Sequence, residues 1–288
     1  MKICPACDSR FVARDWVCPA CNNTLSEIAG IPAFAPELSA ARSGFDPAYF
    51  ETLFRLEDGN FWFQARNRLI LWAMQRYFPG CERFLEIGCG TGFVLAAVAR
   101  AFPGLKLTGS ELHADGLVWT ARRTAGADFL QMDARRIPYE SEFDLIGAFD
   151  VIEHIDEDEQ VLAQARQALR PGGGLLLTVP QHEFLWSASD DYAYHKRRYS
   201  RGDLLTKVKR AGFVVECCTS FVSLLLPALM ASRLRSQPLQ DFDPEAEFRL
   251  SPLLNQMLAA VMSAERMLIR SGVRFATGGS LLLAARRG

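Results

Sequence analysis

One glycine-rich segment constrains the fold of this chain more than any other feature. Arg83 to Gly88 has the composition of a buried strand, glycines recur at positions 88, 90 and 92, and a helical stretch begins near Gly92. A strand that ends in such a turn and leads into a helix presents free backbone N–H groups and the positive end of a helix dipole to a ligand. The segment therefore predicts an open α/β sheet with a ligand at the carboxyl end of its strands.

The chain from Cys81 onward supports this fold class, because short apolar strands alternate with helical stretches. The predicted strands cover residues 83–88, 105–110, 127–132, 143–149, 175–179, 213–219 and 280–285. We expect an α/β fold with a doubly wound, mostly parallel seven-stranded sheet. Residues 81–288 form the predicted main domain, and residues 36–80 precede it as a linker and helices.

The bulk composition limits the classes of function. Of the 288 residues, 49% are hydrophobic and 11% aromatic, which is ample for a core and argues against disorder. The net charge of −1 argues against a chain built to cover nucleic acid, although a local basic patch stays open. No apolar signal segment opens the chain, and its longest apolar stretch, 221–231, is too short to cross a bilayer. We therefore expect a cytoplasmic protein without a transmembrane segment.

Four cysteines near the start of the chain have metal-ligand spacing. Two copies of the tetrapeptide CPAC supply them, and the ligand set is Cys4, Cys7, Cys18 and Cys21. Two C-x₂-C knuckles complete a tetrahedral Cys₄ zinc site, and such a small segment needs the metal in order to fold. We predict a structural zinc ribbon over residues 1–35. A redox dithiol or paired disulfides are the alternatives.

Acidic residues lie at the ends of the first four predicted strands: Glu86, Glu111, Asp133 and Asp150. A carboxylate after the second strand can accept hydrogen bonds from both hydroxyls of a ribose. A carboxylate after the third strand, that of Asp133, can accept a hydrogen bond from the exocyclic amine of an adenine, while the Ala134 N–H donates to the ring. Clustering carboxylates at one sheet edge costs free energy unless a ligand binds them. The alternative, that each acid caps a helix N-terminus, suits individual residues but not all four.

Residues 83–180 resemble the class I, seven-stranded S-adenosylmethionine-dependent methyltransferases. The resemblance rests on the segments FLEIGCGTG at 84–92, FDLI at 143–146, DVIEHI at 150–155 and LRPGG at 169–173. It implies that the last strand runs antiparallel within the sheet and that the cofactor is S-adenosyl-L-methionine. The implied cofactor contacts are Glu86, Gly88, Cys89, Gly90, Gly92, Glu111, Leu112, Asp133, Ala134, Asp150 and Val151.

The segment FWFQAR at 61–66 resembles a stretch that precedes the core in some bacterial members of this class. We interpret it as an aromatic lid over the cofactor, in which Trp62 and Arg66 are further cofactor contacts and Arg66 lies near the cofactor carboxylate. A helix that merely packs on the core is the alternative.

Three histidines are candidates for a general base, because imidazole titrates near neutral pH. His154 follows the fourth strand, although the E-H pair is often structural in the resembling enzymes, and His182 follows the fifth. His195 lies in a basic, aromatic run at 192–199, which could bind an anionic group of the acceptor or form ion pairs with the acidic turn 156–159.

A helical insertion at about 220–272 is expected to cover the acceptor site. Its apolar residues fit a hydrophobic acceptor, a dimer or peripheral membrane contact, or simple core packing. We therefore predict methyl transfer to a small-molecule or lipid-like acceptor, with oxygen as the methylated atom. A zinc-ribbon RNA methyltransferase acting on rRNA or tRNA and a non-enzymatic cofactor-binding adaptor are the alternatives. The sequence leaves the oligomeric state open.

Overall fold

The computed structural model describes residues 1–39, 46–47, 49–233, 243, 245 and 248–288. Its strands are β1 Lys2–Ile3, β2 Arg10–Phe11, β3 Ser26–Ile28, β4 Ile31–Ala33, β5 Arg83–Ile87, β6 Lys106–Glu111, β7 Asp128–Gln131, β8 Phe143–Phe149, β9 Leu169–Pro180, β10 Phe213–Phe221 and β11 Ser280–Arg287. Its α-helices are α1 Tyr49–Leu56, α2 Phe61–Tyr77, α3 Phe93–Ala101, α4 Ala114–Arg123, α5 Asp158–Ala168, α6 Ala188–Tyr192, α7 Arg201–Arg210, α8 Leu226–Arg233 and α9 Pro252–Arg270.

The main sheet has the strand order β10-β11-β9-β8-β5-β6-β7-β4-β3. Strands β5 to β9 pair in parallel, and β11 lies antiparallel between β9 and β10. The order reverses beside β5, so that the crevice where ligands bind in this architecture opens at the carboxyl end of β5. The predicted α/β class, the mostly parallel sheet and the antiparallel last strand are confirmed.

The sheet described here has nine strands rather than the seven expected. The two additional strands, β3 and β4, come from the N-terminal segment and extend the sheet beyond β7. Ala33 is the partner of Gln131 in the register, and the Phe34 N–H donates to the Gln131 carbonyl at 2.8 Å. A free β7 edge would leave unpaired backbone groups, and this pairing covers it. The last part of the predicted ribbon, residues 26–33, therefore extends the main sheet.

Helices cover both faces of the sheet. On one face, α5 and α7 pack against the sheet through Leu162 and Leu204, which are fully buried. On the other face, α2, α3 and α9 pack through Ile70, Leu95 and Met262. In the predicted insertion the structure describes α8 and α9, whereas residues 234–242, 244, 246 and 247 lie outside the described residues. No helix in the described part of the chain is long and apolar enough to span a membrane.

The turn between β10 and α8 is fixed by a buried carboxylate. Glu265 of α9, 1% exposed, accepts three consecutive backbone N–H groups, from Val222, Ser223 and Leu224, at 2.6–2.7 Å. Val222 has a φ of 59°, a conformation that a β-branched residue rarely adopts. The Glu265 carboxylate stabilises that conformation and so sets where the insertion starts.

Candidate functional site

A cavity of about 1160 Å³ opens at the carboxyl ends of β5, β6, β7 and β8. Every cofactor contact predicted from the sequence lines this cavity except Gly92. Of the three predicted bases, His154 and His195 line it and His182 does not. The sheet topology thus brings residues from 62 to 195 in the sequence together in one crevice.

The glycine loop needs its glycines for two different reasons. Gly88 has a φ of +65°, and a Cβ there would lie 2.6 Å from Val151 Cγ2, so only glycine lets β5 and the segment after β8 approach. Gly92 has a φ of +77°, and a Cβ there would lie 2.7 Å from Thr120 Cγ2. Gly92 therefore allows α3 to pack against α4 and does not line the cavity.

Glu111 is held rigidly at the end of β6. Its carboxylate accepts backbone N–H groups of Gly90 at 3.1 Å, Leu112 at 2.8 Å and His113 at 3.2 Å. Burial raises the pKa of Glu111, while the neighbouring His113 and these hydrogen bonds oppose the rise. A fixed carboxylate with remaining lone pairs beside a glycine loop is suited to accepting the hydroxyls of a ribose.

Glu86 presents a buried carboxylate to the cavity. The residue is 2% exposed, and its Oε2 atom has no hydrogen-bond partner among the described residues. Burial raises the pKa of Glu86 well above its ordinary value, and the positive charge of Arg66 only partly offsets this effect. An orphaned buried carboxylate is costly, and a cationic or hydrogen-bond-donating ligand in the cavity would satisfy it.

Arg66 and Asp150 form an ion pair on the cavity wall. The guanidinium bonds to Asp150 Oδ2, which also accepts from the Thr178 hydroxyl at 3.2 Å. The guanidinium carbon lies 4.7 Å from the centre of the Trp62 ring. Trp62 and Arg66 thus line the same cavity as the glycine loop, and Asp150 binds the Arg66 guanidinium.

Asp133 is similarly engaged by a residue that the sequence analysis did not identify. Arg135 donates to both oxygens of the Asp133 carboxylate, at 3.1 and 3.0 Å from Nε, and also to Glu157. The Asp133 carboxylate retains acceptor capacity toward the cavity, because a carboxylate has about four lone-pair sites. The D-x-R spacing was visible in the sequence, but nothing in it indicated which way Arg135 points.

Two of the predicted bases meet in the structure. The rings of His154 and His195 are 4.6 Å apart and perpendicular. His195 Nδ1 lies 2.8 Å from Asp190 Oδ1, and Arg198 donates to both oxygens of Asp190 at 2.8 and 2.9 Å. The Asp190–His195 contact fixes the ring orientation and leaves Nε2 as the atom available to the cavity.

Asp190 is the functional residue that the sequence analysis missed. Its side chain is 1% exposed and completes a capping box with Ser187 at the start of α6. Burial alone would raise the pKa of Asp190, but hydrogen bonds from His195 and Arg198 outweigh burial and lower it to about 2. The S-x-x-D capping signal at 187–190 was present in the sequence, yet it indicates a helix start and not a histidine partner.

His182 lies outside the cavity. Its ring stacks on Phe184 with 4.8 Å between centroids, and its backbone has a φ of 66°. Burial, together with the positive charge of Arg198, lowers the pKa of His182. The structure therefore does not bring His182 together with the other two candidates.

Glu153, His154 and His195 offer three potential ligand atoms within 4.8 Å of one another. Glu153 is fully buried, and neither carboxylate oxygen has a hydrogen-bond partner among the described residues. Burial, and secondly the charge of Asp150, raise the pKa of Glu153 well above its ordinary value. Such a cluster can pass a proton between carboxyl and imidazole groups.

The remaining cations of the run at 192–199 form ion pairs. Arg197 bonds to Asp158 at 2.8 Å, and Asp158 also bonds to Lys207 at 2.6 Å. Lys196 and Arg197 lie 3.9 and 3.6 Å from the Asp156 carboxylate. These contacts favour the ion-pair interpretation of the run over one in which its arginines bind an acceptor.

The four N-terminal cysteines converge. Cys4 Sγ lies 3.7 Å from Cys21 Sγ, and Cys7 Sγ lies 3.7 Å from Cys18 Sγ. A tetrahedron with Zn–S bonds of about 2.3 Å has S–S edges of about 3.8 Å, so the four sulfur atoms fit a zinc ion. Trp16 links this cluster to the sheet through edge contacts with Phe34 at 4.6 Å and Tyr139 at 5.4 Å.

The fold and the site define a class I methyltransferase-like α/β domain preceded by a cluster of four cysteines. In agreement, residues 85–175 match the family model described as "Methyltransferase domain". This match lies within the Rossmann-like sheet and covers about a third of the chain.

Two curated relatives are similar to parts of the chain. A fatty-acid O-methyltransferase of Mycolicibacterium smegmatis is 34% identical over 34% of this chain and 36% of its own length. A phthiotriol/phenolphthiotriol dimycocerosates methyltransferase of Mycobacterium ulcerans is 30% identical over 45% of this chain and 49% of its own. The chain thus matches less than half of each relative.

Solved structures share the fold at low sequence identity. A chain in the complex of the Haloferax volcanii Trm112 methyltransferase activator has a TM-score of 0.57 and 17% identity over 86% of this chain and 99% of its own length. Haemonchus contortus phosphoethanolamine N-methyltransferase 2 in complex with S-adenosyl-L-methionine has a TM-score of 0.54 and 20% identity over 85% of this chain and 58% of its own. At this identity the likeness concerns the fold alone.

Proposed function

We propose that this chain is an S-adenosylmethionine-dependent methyltransferase that methylates a small-molecule or lipid-like acceptor at oxygen. One observation carries the proposal: the cavity that holds the glycine loop and its acidic partners is also lined by the paired histidines and by mostly apolar residues of the insertion. We call the part of the cavity lined by the insertion the chamber; its residues are Val222, Leu225, Ala228, Leu229, Ser232, Arg233, Phe248, Leu250 and Leu258.

The glycine loop and the acidic strand ends suit the parts of this cofactor. Glu111 is placed to accept from the ribose hydroxyls, and Asp133 with Ala134 to bind the base. Glu86 and Asp150 supply negative charge toward the cationic methionine end, where the bound cofactor provides an electrophilic methyl group. The unpartnered Glu86 oxygen supports this assignment, because a cationic ligand relieves its burial without any rearrangement.

The chain's own contribution to methyl transfer is alignment, exclusion of water and removal of a proton. An in-line displacement needs donor and acceptor held together in one orientation, which the α2 lid and the insertion can provide. A hydroxyl acceptor loses a proton, and His195 Nε2 is the atom proposed to take it. Asp190 holds the imidazole in the tautomer with a proton on Nδ1 and stabilises the cation that forms.

The acceptor is proposed to be apolar. Most of the insertion residues that line the chamber are apolar, with Ser232 and Arg233 as the exceptions, and the two curated relatives are named for fatty acids and for phthiotriol/phenolphthiotriol dimycocerosates. The ion pairs of Lys196 and Arg197 weigh against RNA as the acceptor, since RNA binding needs cations that are free for phosphates. Zinc is proposed as the structural ion of the four cysteines, on the basis of their sulfur geometry.

The test is transfer of a radiolabelled methyl group from S-adenosyl-L-methionine into an extract that is then separated into lipid, small-molecule, RNA and protein fractions. The proposal expects label in the lipid or small-molecule fraction, in an alkali-labile ester or an ether. Label confined to RNA would replace it with the RNA methyltransferase alternative. Tight cofactor binding without label in any fraction would replace it with the adaptor alternative.

A further inference from the structure

The outer face of α9 has a composition opposite to that of an ordinary surface helix. Its exposed residues along one stripe are Leu253, Met257, Ala260, Ala264 and Met267. Leu253, Met257 and Met267 are 69%, 59% and 61% exposed, and Leu268 beside them is 42% exposed. The side of α9 that packs on the protein is built separately, around Met262, Glu265 and Ile269. An apolar stripe of this length on the solvent side indicates a contact surface.

Three arginines lie to one side of this stripe, toward α2, and exposed acidic groups are absent from the two helices that form the face. Helix α2 carries no Asp or Glu, and the only acid of α9 is the buried Glu265. Burial lowers the pKa of Arg266, and the positive charges of Arg270 and of Arg68 on α2 lower it further. The three arginines therefore lie close together. None of these three forms an ion pair with a described residue. The face is therefore both apolar and cationic, on a chain whose net charge is −1.

We infer that this face, defined as the exposed residues of α9 together with Arg68, docks on an anionic lipid bilayer. An interfacial helix buries Leu and Met side chains at the boundary between headgroups and acyl chains, while neighbouring arginines bind anionic headgroups. A two-fold contact with a second copy of this chain would bring the same arginines face to face without acids to neutralise them. Nucleic acid offers no apolar surface to the leucines and methionines.

The position of the face connects it with the cavity. Leu258, next to Met257 on α9, lines the cavity. Leu225, just before α8, and Leu229, next to Met230, also line it, and Met230 is 46% exposed. A molecule with an alkyl chain could pass from the bilayer to the chamber along α8 and α9. The passage of an alkyl chain along this route rests on the proposed lipid-like acceptor, whereas the docking of the face on a bilayer does not.

The experiment is co-sedimentation of the full chain with vesicles of phosphatidylcholine alone or with about one third phosphatidylglycerol. Binding is expected to the anionic vesicles and to weaken as salt is raised. Arg68→Glu with Arg270→Glu should weaken binding about 25-fold or more, since each arginine near the surface contributes about fivefold. Leu253→Ser with Met257→Ser and Met267→Ser should weaken it even at low salt, because the apolar contact is lost.

Matched controls lie elsewhere on the surface. Arg100→Glu with Lys106→Glu changes the charge equally, and Val12→Ser with Val214→Ser removes exposed apolar side chains; both should leave vesicle binding unchanged. The inference is overturned if the wild-type chain does not sediment with anionic vesicles, or if the controls weaken binding as much. It is also overturned if the chain dimerises and the α9 variants abolish dimerisation but not vesicle binding. Titration of S-adenosyl-L-methionine into each variant tests the proposed function separately.

Discussion

At the scale of single residues, the buried carboxyls of the cavity set how ligand binding depends on pH. Burial raises the pKa of Glu86 and of Glu153 well above the ordinary range of a glutamate side chain. A cationic ligand beside a carboxyl lowers its pKa. Binding of S-adenosyl-L-methionine should therefore release protons.

The expected outcome is that affinity for S-adenosyl-L-methionine increases as the pH rises through the raised pKa values of these carboxyls, because their deprotonation favours a cation. Calorimetry in two buffers with different ionisation enthalpies measures the protons released. The variant Glu86→Gln should release fewer protons than the wild type. Proton uptake, or an affinity that does not change with pH, would contradict this account of the cavity.

The Asp190 carboxylate is expected to stabilise the fold strongly. Asp190→Asn leaves Arg198, 9% exposed, without its ionic partner, and loss of one member of a buried pair costs about 3–5 kcal/mol of unfolding free energy. In the folded protein the pKa of Asp190 is lowered to about 2. The Asp190 carboxylate therefore makes its full contribution to the free energy of unfolding above its unfolded pKa of about 3.9, and this contribution is lost as the pH falls toward 2.

Urea unfolding at neutral and acidic pH checks this expectation. The difference between wild type and Asp190→Asn should shrink as the pH falls through that window. Asp156→Asn is the matched control, because Asp156 is 69% exposed and exposed pairs contribute less than about 1 kcal/mol. Equal stability losses in the two variants at neutral pH would show that the Asp190 network is not what stabilises α6.

Two histidine variants distinguish the proposed base, His195, from His182, which lies outside the cavity. His195→Ala should lower kcat by about 10²- to 10⁴-fold, the usual contribution of a general base. His182→Ala should leave kcat near the wild-type value, because His182 lies outside the cavity. Pre-equilibrium and steady-state assays over a pH series measure both, and the reverse pattern would assign the base to His182.

At the scale of elements, β4 and β7 connect the cysteine cluster with the cofactor crevice. Gln131, at the end of β7, is fully buried and bonds to Ala35 through both its amide nitrogen and its oxygen, at 2.7 and 3.0 Å. The same amide nitrogen donates to the Leu112 carbonyl at 2.8 Å. One side chain therefore joins the strand after the cysteines to a residue that lines the crevice.

Gln131→Leu should lower the free energy of unfolding by about 2–4 kcal/mol, because buried backbone groups of Ala35 and Leu112 lose their partners. It should also weaken binding of S-adenosyl-L-methionine, since Leu112 is no longer held. Denaturation and calorimetric titration measure the two effects. Gln167→Leu, which removes a single 3.3 Å bond to the Tyr139 carbonyl, is the control. A loss of stability with unchanged affinity would mean that the cysteine cluster does not influence the crevice.

Elements with local signals were predictable, and the contacts between distant segments were not. The glycine loop, the strands and the antiparallel last strand follow from periodicity and from the resemblance to class I methyltransferases. The pairing of β4 with β7 joins residues about 100 positions apart, and the sequence of β4 does not indicate its partner. The Asp190–His195 contact was missed for a different reason, since the two residues are only five positions apart: Asp190 has a capping signal, and only the fold of the α6 turn places its carboxylate at the imidazole.

At the scale of the whole molecule, one edge of the sheet gathers the cofactor crevice, the paired histidines and the apolar chamber. Helices α2 and α9 close this edge on one side and carry the cationic, apolar face on their outer surface. The sequence predicted an insertion over the acceptor site, and four residues of α8 and Leu258 of α9 line the cavity. Composition alone, with a net charge of −1, gave no sign that arginines collect on one face.

The central claim is that the crevice binds S-adenosyl-L-methionine, and direct calorimetric titration of the purified chain tests it. We predict one saturable site per chain and no comparable binding of NAD. Glu111→Ala should weaken the affinity at least tenfold, because two charge-assisted hydrogen bonds to the ribose are lost. Absence of saturable binding of S-adenosyl-L-methionine, or equally tight binding of NAD, would contradict the account.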